Sequence, residues 1–124
     1  VQALVEPWQG EVTRGSHQSP TDKPDPFGGH DTGPAPYDFL TTSLASCTMI
    51  TLRMYAQHKQ IDLGDFSVEV DFHTNREQQE KMTRRIIFEQ IPSQVLQEKL
   101  LNVCSKTPVT KTLLRSLDIQ TVIV

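Results

Sequence analysis

Apolar and polar residues alternate most regularly between Asp65 and His73, where Phe66, Val68, Val70 and Phe72 take one parity and Ser67, Glu69, Asp71 and His73 the other. A period of two is that of a strand with one buried face. The polar run TNREQQEK follows, and then MTRRIIFEQI, which reads as a second strand, so the pair predicts a hairpin with a long solvated tip. Between Phe39 and Leu52 the pattern changes to fourteen residues without a charge, rich in Ser and Thr. Pro36 suits the first helical position and Asp38 faces the helix dipole from the first turn, which predicts a helix from about Pro36 to His58. Leu96, Leu100, Val103 and Cys104 recur at i, i+4, i+7 and i+8 and place a second helix over Ser93 to Lys106. Pro108 ends it. Thr107 as N-cap and Pro108 at the next position start a short third helix reaching about Ser116, and IQTVIV is expected as a final strand.

Ahead of the first helix the pattern is weaker. Up to about His17 the chain predicts two short strands with the Pro7 to Gly10 region as their turn. From Gln18 to Pro36 comes a loop of Pro, Gly and Asp, QSPTDKPDPFGGHDTGPAP, and a loop of that length in a compact domain is usually functional or disordered. The order of strand, strand, helix, strand, strand, helix, helix, strand is that of an α+β fold without repeats.

Bulk properties narrow the function classes. A length of 124 residues fits a single domain over 1–124 with one core. A net charge of −3, with Lys and Arg scattered, offers no basic surface for nucleic acid. The uncharged stretch is shorter than the roughly 20 apolar residues of a membrane span, so no membrane partner is expected. No basic segment followed by an apolar run opens the chain, which gives secretion no support. Because the first residue is Val1 rather than Met, residues ahead of it are expected. Two cysteines, Cys47 and Cys104, are too few for a disulfide-stapled secreted module and fit a reduced cytoplasmic protein.

Few residues carry candidate chemistry. Cys47 lies about three turns inside the first helix, where a small buried hydrophobe is the bland interpretation. The dipole activates thiols at helix N-termini, so a reactive Cys47 needs a cation from another segment, with Arg14, Arg84 and Arg85 as the choices. His17, His30, His58 and His73 have neither the i, i+4 spacing nor the Cys-x-x-Cys companions of a metal site, and no metal or cofactor is expected. Gly28-Gly29 lacks the Gly-Lys-Ser/Thr of a phosphate loop and fits turn chemistry instead.

The stretch GGHDTGPAPYDFLTTSLASCTMITLRMYAQHK resembles the central signature of the OsmC/Ohr family, the osmotically inducible and organic hydroperoxide resistance proteins. TDKP ahead of it, and KTPVTKTL and IQTVIV after it, extend the resemblance from about Glu11 to the end. It implies an intertwined homodimer with antiparallel sheets around central helices, which would cover an uncharged helix on every side. It also implies thiol-dependent reduction of an organic hydroperoxide in oxidative-stress defence, with a thiol reductant as second partner. Cys47 matches the attacking cysteine. Asp38 stands where the family often has a Glu and would orient an arginine or the peroxide, and Arg14 matches an N-terminal arginine that stabilises the thiolate.

One position departs from the family. In its motif Lys-Cys-Pro-Val-His-Lys-Thr-Leu the resolving cysteine directly precedes the proline, whereas this chain has Thr107 there and Thr110 at the His position. Threonine caps a helix but cannot be oxidised. Cys104, three residues earlier, is either packing beside Leu100 or a displaced resolving thiol, with an external thiol as the other resolver. The substitution also motivates an alternative in which the chain is a non-catalytic dimeric protein that binds a small molecule in the retained interface pocket.

Overall fold

Residues 66 to 88 form the hairpin that the alternation predicts. In the computed structural model, which describes residues 1–115 and 117–124, strands β4 (Phe66–Thr74) and β5 (Glu80–Phe88) pair antiparallel from Phe66 opposite Phe88 to Thr74 opposite Glu80. Phe66, Val68, Val70 and Phe72 are partly covered while Ser67, Glu69 and His73 are exposed. The Phe66 and Phe88 rings meet at 5.4 Å between centroids, a cross-strand aromatic pair at the end of the ladder. At the tip, the Asn75 side-chain oxygen accepts the N–H groups of Glu77 and Gln79.

The hairpin belongs to the second of two compact units, Val1–Thr41 and Thr42–Val124. Helix α1 (Pro36–Lys59) contributes to this unit a stripe of buried residues at every fourth position, Leu44, Thr48, Leu52 and Ala56. Helix α2 (Gln94–Cys104) starts at Ser93, whose hydroxyl accepts the Leu96 N–H, and buries Leu100 and Cys104. Leu52, Ala56, Leu63, Leu100 and Cys104 make the core cluster, with Phe66, Ile86, Phe88, Leu96 and Val103 packed against it. Helix α3 (Pro108–Leu113) has Thr107 as its N-cap and Pro108 in its first turn. The expected end of this helix near Ser116 lies outside the described residues.

Residues 119–124 were expected to form a strand and do not pair in this structure. A strand needs an edge to hydrogen-bond with, and the apolar side chains here are fully open to solvent, Ile123 at 99 %.

The first unit holds a three-stranded antiparallel meander, β1 (Gln2–Ala3), β2 (Gly10–Arg14) and β3 (His17–Thr21), in that order. The two expected strands are β1 and β2, and the correction concerns the residues after them. The Pro7 to Gly10 region does lie between strands, but β2 continues through a second turn at Gly15-Ser16 into β3, which takes up the first residues assigned to the long loop. His17, Gln18, Ser19 and Pro20 lack the apolar alternation of a strand, and the β2 ladder, not side-chain burial, defines it.

Beyond β3 the loop folds around Asp22, which is 2 % exposed. Its carboxylate accepts the N–H of Lys23 at 2.7 Å, of His30 at 3.1 Å and of Thr32 at 3.3 Å, together with the Thr32 hydroxyl at 2.9 Å. Burial alone would raise the Asp22 pKa, but these donors favour the ionised form more strongly and hold it at about 2. The loop returns so tightly that a Cβ at Gly29 would overlap the Lys23 carbonyl, and one at Gly33 would meet Pro20 backbone at 2.7 Å.

Candidate thiol site

The site is built on the middle of α1, where Cys47 is half-buried and Thr48, one residue on, is fully buried. An uncharged helix can bury hydroxyls because each finds an acceptor in its own backbone: Thr48 donates to the Leu44 carbonyl at 2.7 Å and Thr51 to the Cys47 carbonyl at 2.7 Å. Cys47 therefore stands at the edge of the buried stripe.

Of the three arginines proposed to bring a cation towards this helix, Arg84 reaches it. Strand alternation places Arg84 on the same face as Met82, Ile86 and Phe88, the face turned to the core. Its Nη1 donates to the Thr48 hydroxyl at 2.8 Å and to the Thr110 hydroxyl at 3.0 Å, and its Nη2 donates to the Cys104 carbonyl at 3.0 Å. One guanidinium thus joins α1, the end of α2 and the start of α3. Arg85 points the other way and pairs with Glu69 at 2.7 Å and Asp71 at 2.9 Å on the exposed face of the hairpin.

At the α2–α3 corner the Thr107 and Thr110 hydroxyls share a 2.6 Å hydrogen bond, and the Thr110 hydroxyl also lies 3.1 Å from the Cys104 carbonyl. Thr107 is fully buried, and its oxygen also accepts the Thr110 N–H as the helix cap. The two threonines that depart from the family motif thus form a hydrogen-bonded hydroxyl pair that accepts from Arg84 and meets the Cys104 carbonyl.

The other expected site residues divide between the units. Cys104 is 2 % exposed within the core cluster, beside Leu100 as its periodicity predicts. Burial pushes its thiol above the ordinary value of 9.0, while the Arg84 charge and a backbone hydrogen bond pull more weakly the other way. Asp38 and Arg14 belong to the first unit. The Asp38 carboxylate reaches back to accept the Ala35 N–H at 2.8 Å, half of a capping box for α1. Arg14 is exposed, opposite His17 at the end of β2. All four histidines are exposed, and no group of His, Cys, Asp and Glu able to hold a metal ion occurs among the described residues. No helix among them is long and apolar enough to cross a membrane.

One residue went unnoticed in the sequence, Asp22, whose only signal was its place ahead of a Gly-rich loop. Among the three candidate arginines, Arg84 could have been singled out, since it is in register with Met82, Ile86 and Phe88 on the partly buried face of its strand.

The OsmC-like protein family matches the chain over residues 29–122. Among solved structures, a protein of the osmotic stress and detoxification response from Psychrobacter arcticus 273-4 is similar at a TM-score of 0.68 and 21 % identity, covering 90 % of this chain and 91 % of its own. An OsmC-like protein from Mycoplasma pneumoniae gives 0.64 at 17 % identity, over 90 % of this chain and 89 % of the other. An organic hydroperoxide resistance protein from Legionella pneumophila gives 0.56 at 18 % identity, over 90 % and 91 %. No curated protein matches the sequence. The described residues form an α+β fold with antiparallel sheets and three α-helices, similar to that of these structures. It belongs to the OsmC-like family.

Proposed function

We infer that the chain reduces organic hydroperoxides through Cys47. The observation that carries this reading is the half-buried Cys47 in the middle of an uncharged helix, next to Thr48, whose hydroxyl accepts from the Arg84 guanidinium. The name of the Legionella relative, an organic hydroperoxide resistance protein, supports the substrate class. A thiolate at Cys47 attacks one peroxide oxygen; the sulfur–oxygen bond forms as the oxygen–oxygen bond breaks, the alcohol departs with a proton, and the cysteine is left as a sulfenic acid. A thiol reductant then restores it.

The working form on this reading is a cytoplasmic homodimer. Ile50 and Met54, on α1 itself, are 49 % and 65 % exposed, more apolar surface than a central helix leaves open in a finished assembly. Arg14 and Asp38 take the roles that the family resemblance implies, at the thiolate and the peroxide.

The deciding experiment is consumption of cumene hydroperoxide by wild type and Cys47→Ser with a thiol reductant in excess. Loss of consumption in the variant supports the reading. Equal consumption sinks it and turns attention to the small-molecule-binding alternative.

A further inference from the structure

The corner that the family motif reserves for a resolving cysteine holds no accessible sulfur in this chain. Thr107 fills the position before Pro108, fully buried, and its hydroxyl is hydrogen-bonded to that of Thr110 at 2.6 Å. The neighbouring thiol, Cys104, is 2 % exposed and lies within the cluster of Leu52, Ala56, Leu63 and Leu100. Its backbone is held as well: the Cys104 carbonyl accepts from Arg84 Nη2 and from the Thr110 hydroxyl. Thr48 on α1 is bound by Nη1 of the same guanidinium, so the arginine stands as a wedge between the cysteine-bearing helix and the end of α2. A disulfide needs Cβ atoms about 3.5–4.5 Å apart, and bringing Cys104 out to Cys47 would break the Arg84 hydrogen bonds and open the core.

We propose that this corner is redox-inert, and that the sulfenic acid formed on Cys47 is resolved by a monothiol from outside the chain, without an intramolecular disulfide. The proposal rests on the peroxide reading above and names the second substrate of that site. The external thiol attacks the Cys47 sulfur; a sulfur–sulfur bond forms, the sulfur–oxygen bond breaks, and the hydroxyl leaves as water with the thiol proton. A second thiol attacks the mixed disulfide at the external sulfur, releases the Cys47 thiolate and carries away the two electrons' worth of oxidation as a symmetrical disulfide. A half-buried Cys47 is open enough for a small thiol to reach, which Cys104 is not.

The test is the intact mass of the reduced protein after one equivalent of cumene hydroperoxide, first alone and then with one equivalent of 2-mercaptoethanol so that the second exchange step is starved, together with peptide mapping and a non-reducing gel. The expected result is gain of one oxygen on Cys47, converted by 2-mercaptoethanol into a mixed disulfide at Cys47, with Cys104→Ala giving the same two products. Loss of two hydrogens in wild type but not in Cys104→Ala, or a disulfide between copies on the gel, overturns the proposal while leaving the peroxide chemistry standing. A Cys47 that stays reduced overturns both. If Cys104→Ala fails to fold, the wild-type masses alone decide between the disulfide and the mixed disulfide.

Discussion

The Arg84 guanidinium binds the Thr48 hydroxyl at 2.8 Å, tying strand β5 to the residue that follows Cys47. With the same Nη1 on Thr110 and Nη2 on the Cys104 carbonyl, this one side chain holds three helices through hydrogen bonds in a half-buried setting. Charge-assisted bonds are the strong ones, and the planar fork gives each acceptor its own direction.

Arg84→Met should therefore lower unfolding stability by about 2–3 kcal/mol, the range for losing hydrogen bonds to a charged donor while their acceptors stay buried. Arg84→Lys should recover only part of this, because an ammonium cannot reproduce the fork. Urea denaturation of the three proteins measures it. An Arg84→Met midpoint equal to wild type would mean that the network contributes nothing net.

Cys104 predicts a thiol count. In the folded protein, a maleimide should modify Cys47 and spare Cys104, and both should react once denaturant is added. Rapid modification of both in the native state would contradict the burial of Cys104 in the core.

The same thiol gives a dependence at alkaline pH. Its folded pKa lies above the ordinary 9.0, so its contribution to stability is complete below pH 9 and is lost as pH rises through the folded value, where the unfolded chain already carries a thiolate. Replacement by alanine should flatten the fall in stability above pH 9. An unchanged slope would place the alkaline loss elsewhere.

For Asp22 the sign is reversed. Its folded pKa, about 2, lies below the ordinary 3.8, so its contribution is complete above pH 4 and disappears as the pH falls towards 2. The single tryptophan, Trp8, has the Lys23 ammonium 4.6 Å from its ring, next in sequence to Asp22, and so reports on this loop. Its fluorescence should change between pH 4 and 2 in wild type. Asp22→Asn should already show the altered signal at neutral pH and lose the acid transition; a normal signal at neutral pH would argue that the carboxylate does not organise the loop.

Asp38→Ala separates a cap from a catalytic group. Loss of the acceptor for the Ala35 N–H should lower stability by about 1 kcal/mol. If Asp38 also orients the peroxide, turnover by the remaining folded protein should fall, and Arg14→Ala should slow peroxide consumption as well. A stability loss with full turnover would restrict Asp38 to the cap.

What could be seen in the sequence followed from local rules. The β4–β5 hairpin is periodic, α1 has Pro36 and Asp38 at its start, and Thr107-Pro108 starts α3; each is dictated by residues close to one another in the chain. Strand β3 was invisible because its order comes from the β2 ladder, and a ladder is a property of two segments. The strand expected at IQTVIV failed for the related reason that apolar alternation supplies a face but not an edge to pair with. Cys104 as packing was readable from its position one turn after Leu100. The Arg84 network was not, since the partners Thr48, Cys104 and Thr110 are between 20 and 36 residues away.

The loop around Asp22 has a last consequence, for how the surface of this protein can change. His30 gives that carboxylate only its backbone N–H, and the exposed Phe27 gives it nothing, so both side chains are free to be exchanged. Gly29 and Gly33 have no chemistry to lose, yet any side chain there would push the loop off Lys23 and Pro20. In a saturation scan Phe27 and His30 should therefore be permissive positions, whereas Gly29 and Gly33 should reject every side chain and Asp22 the loss of its carboxylate.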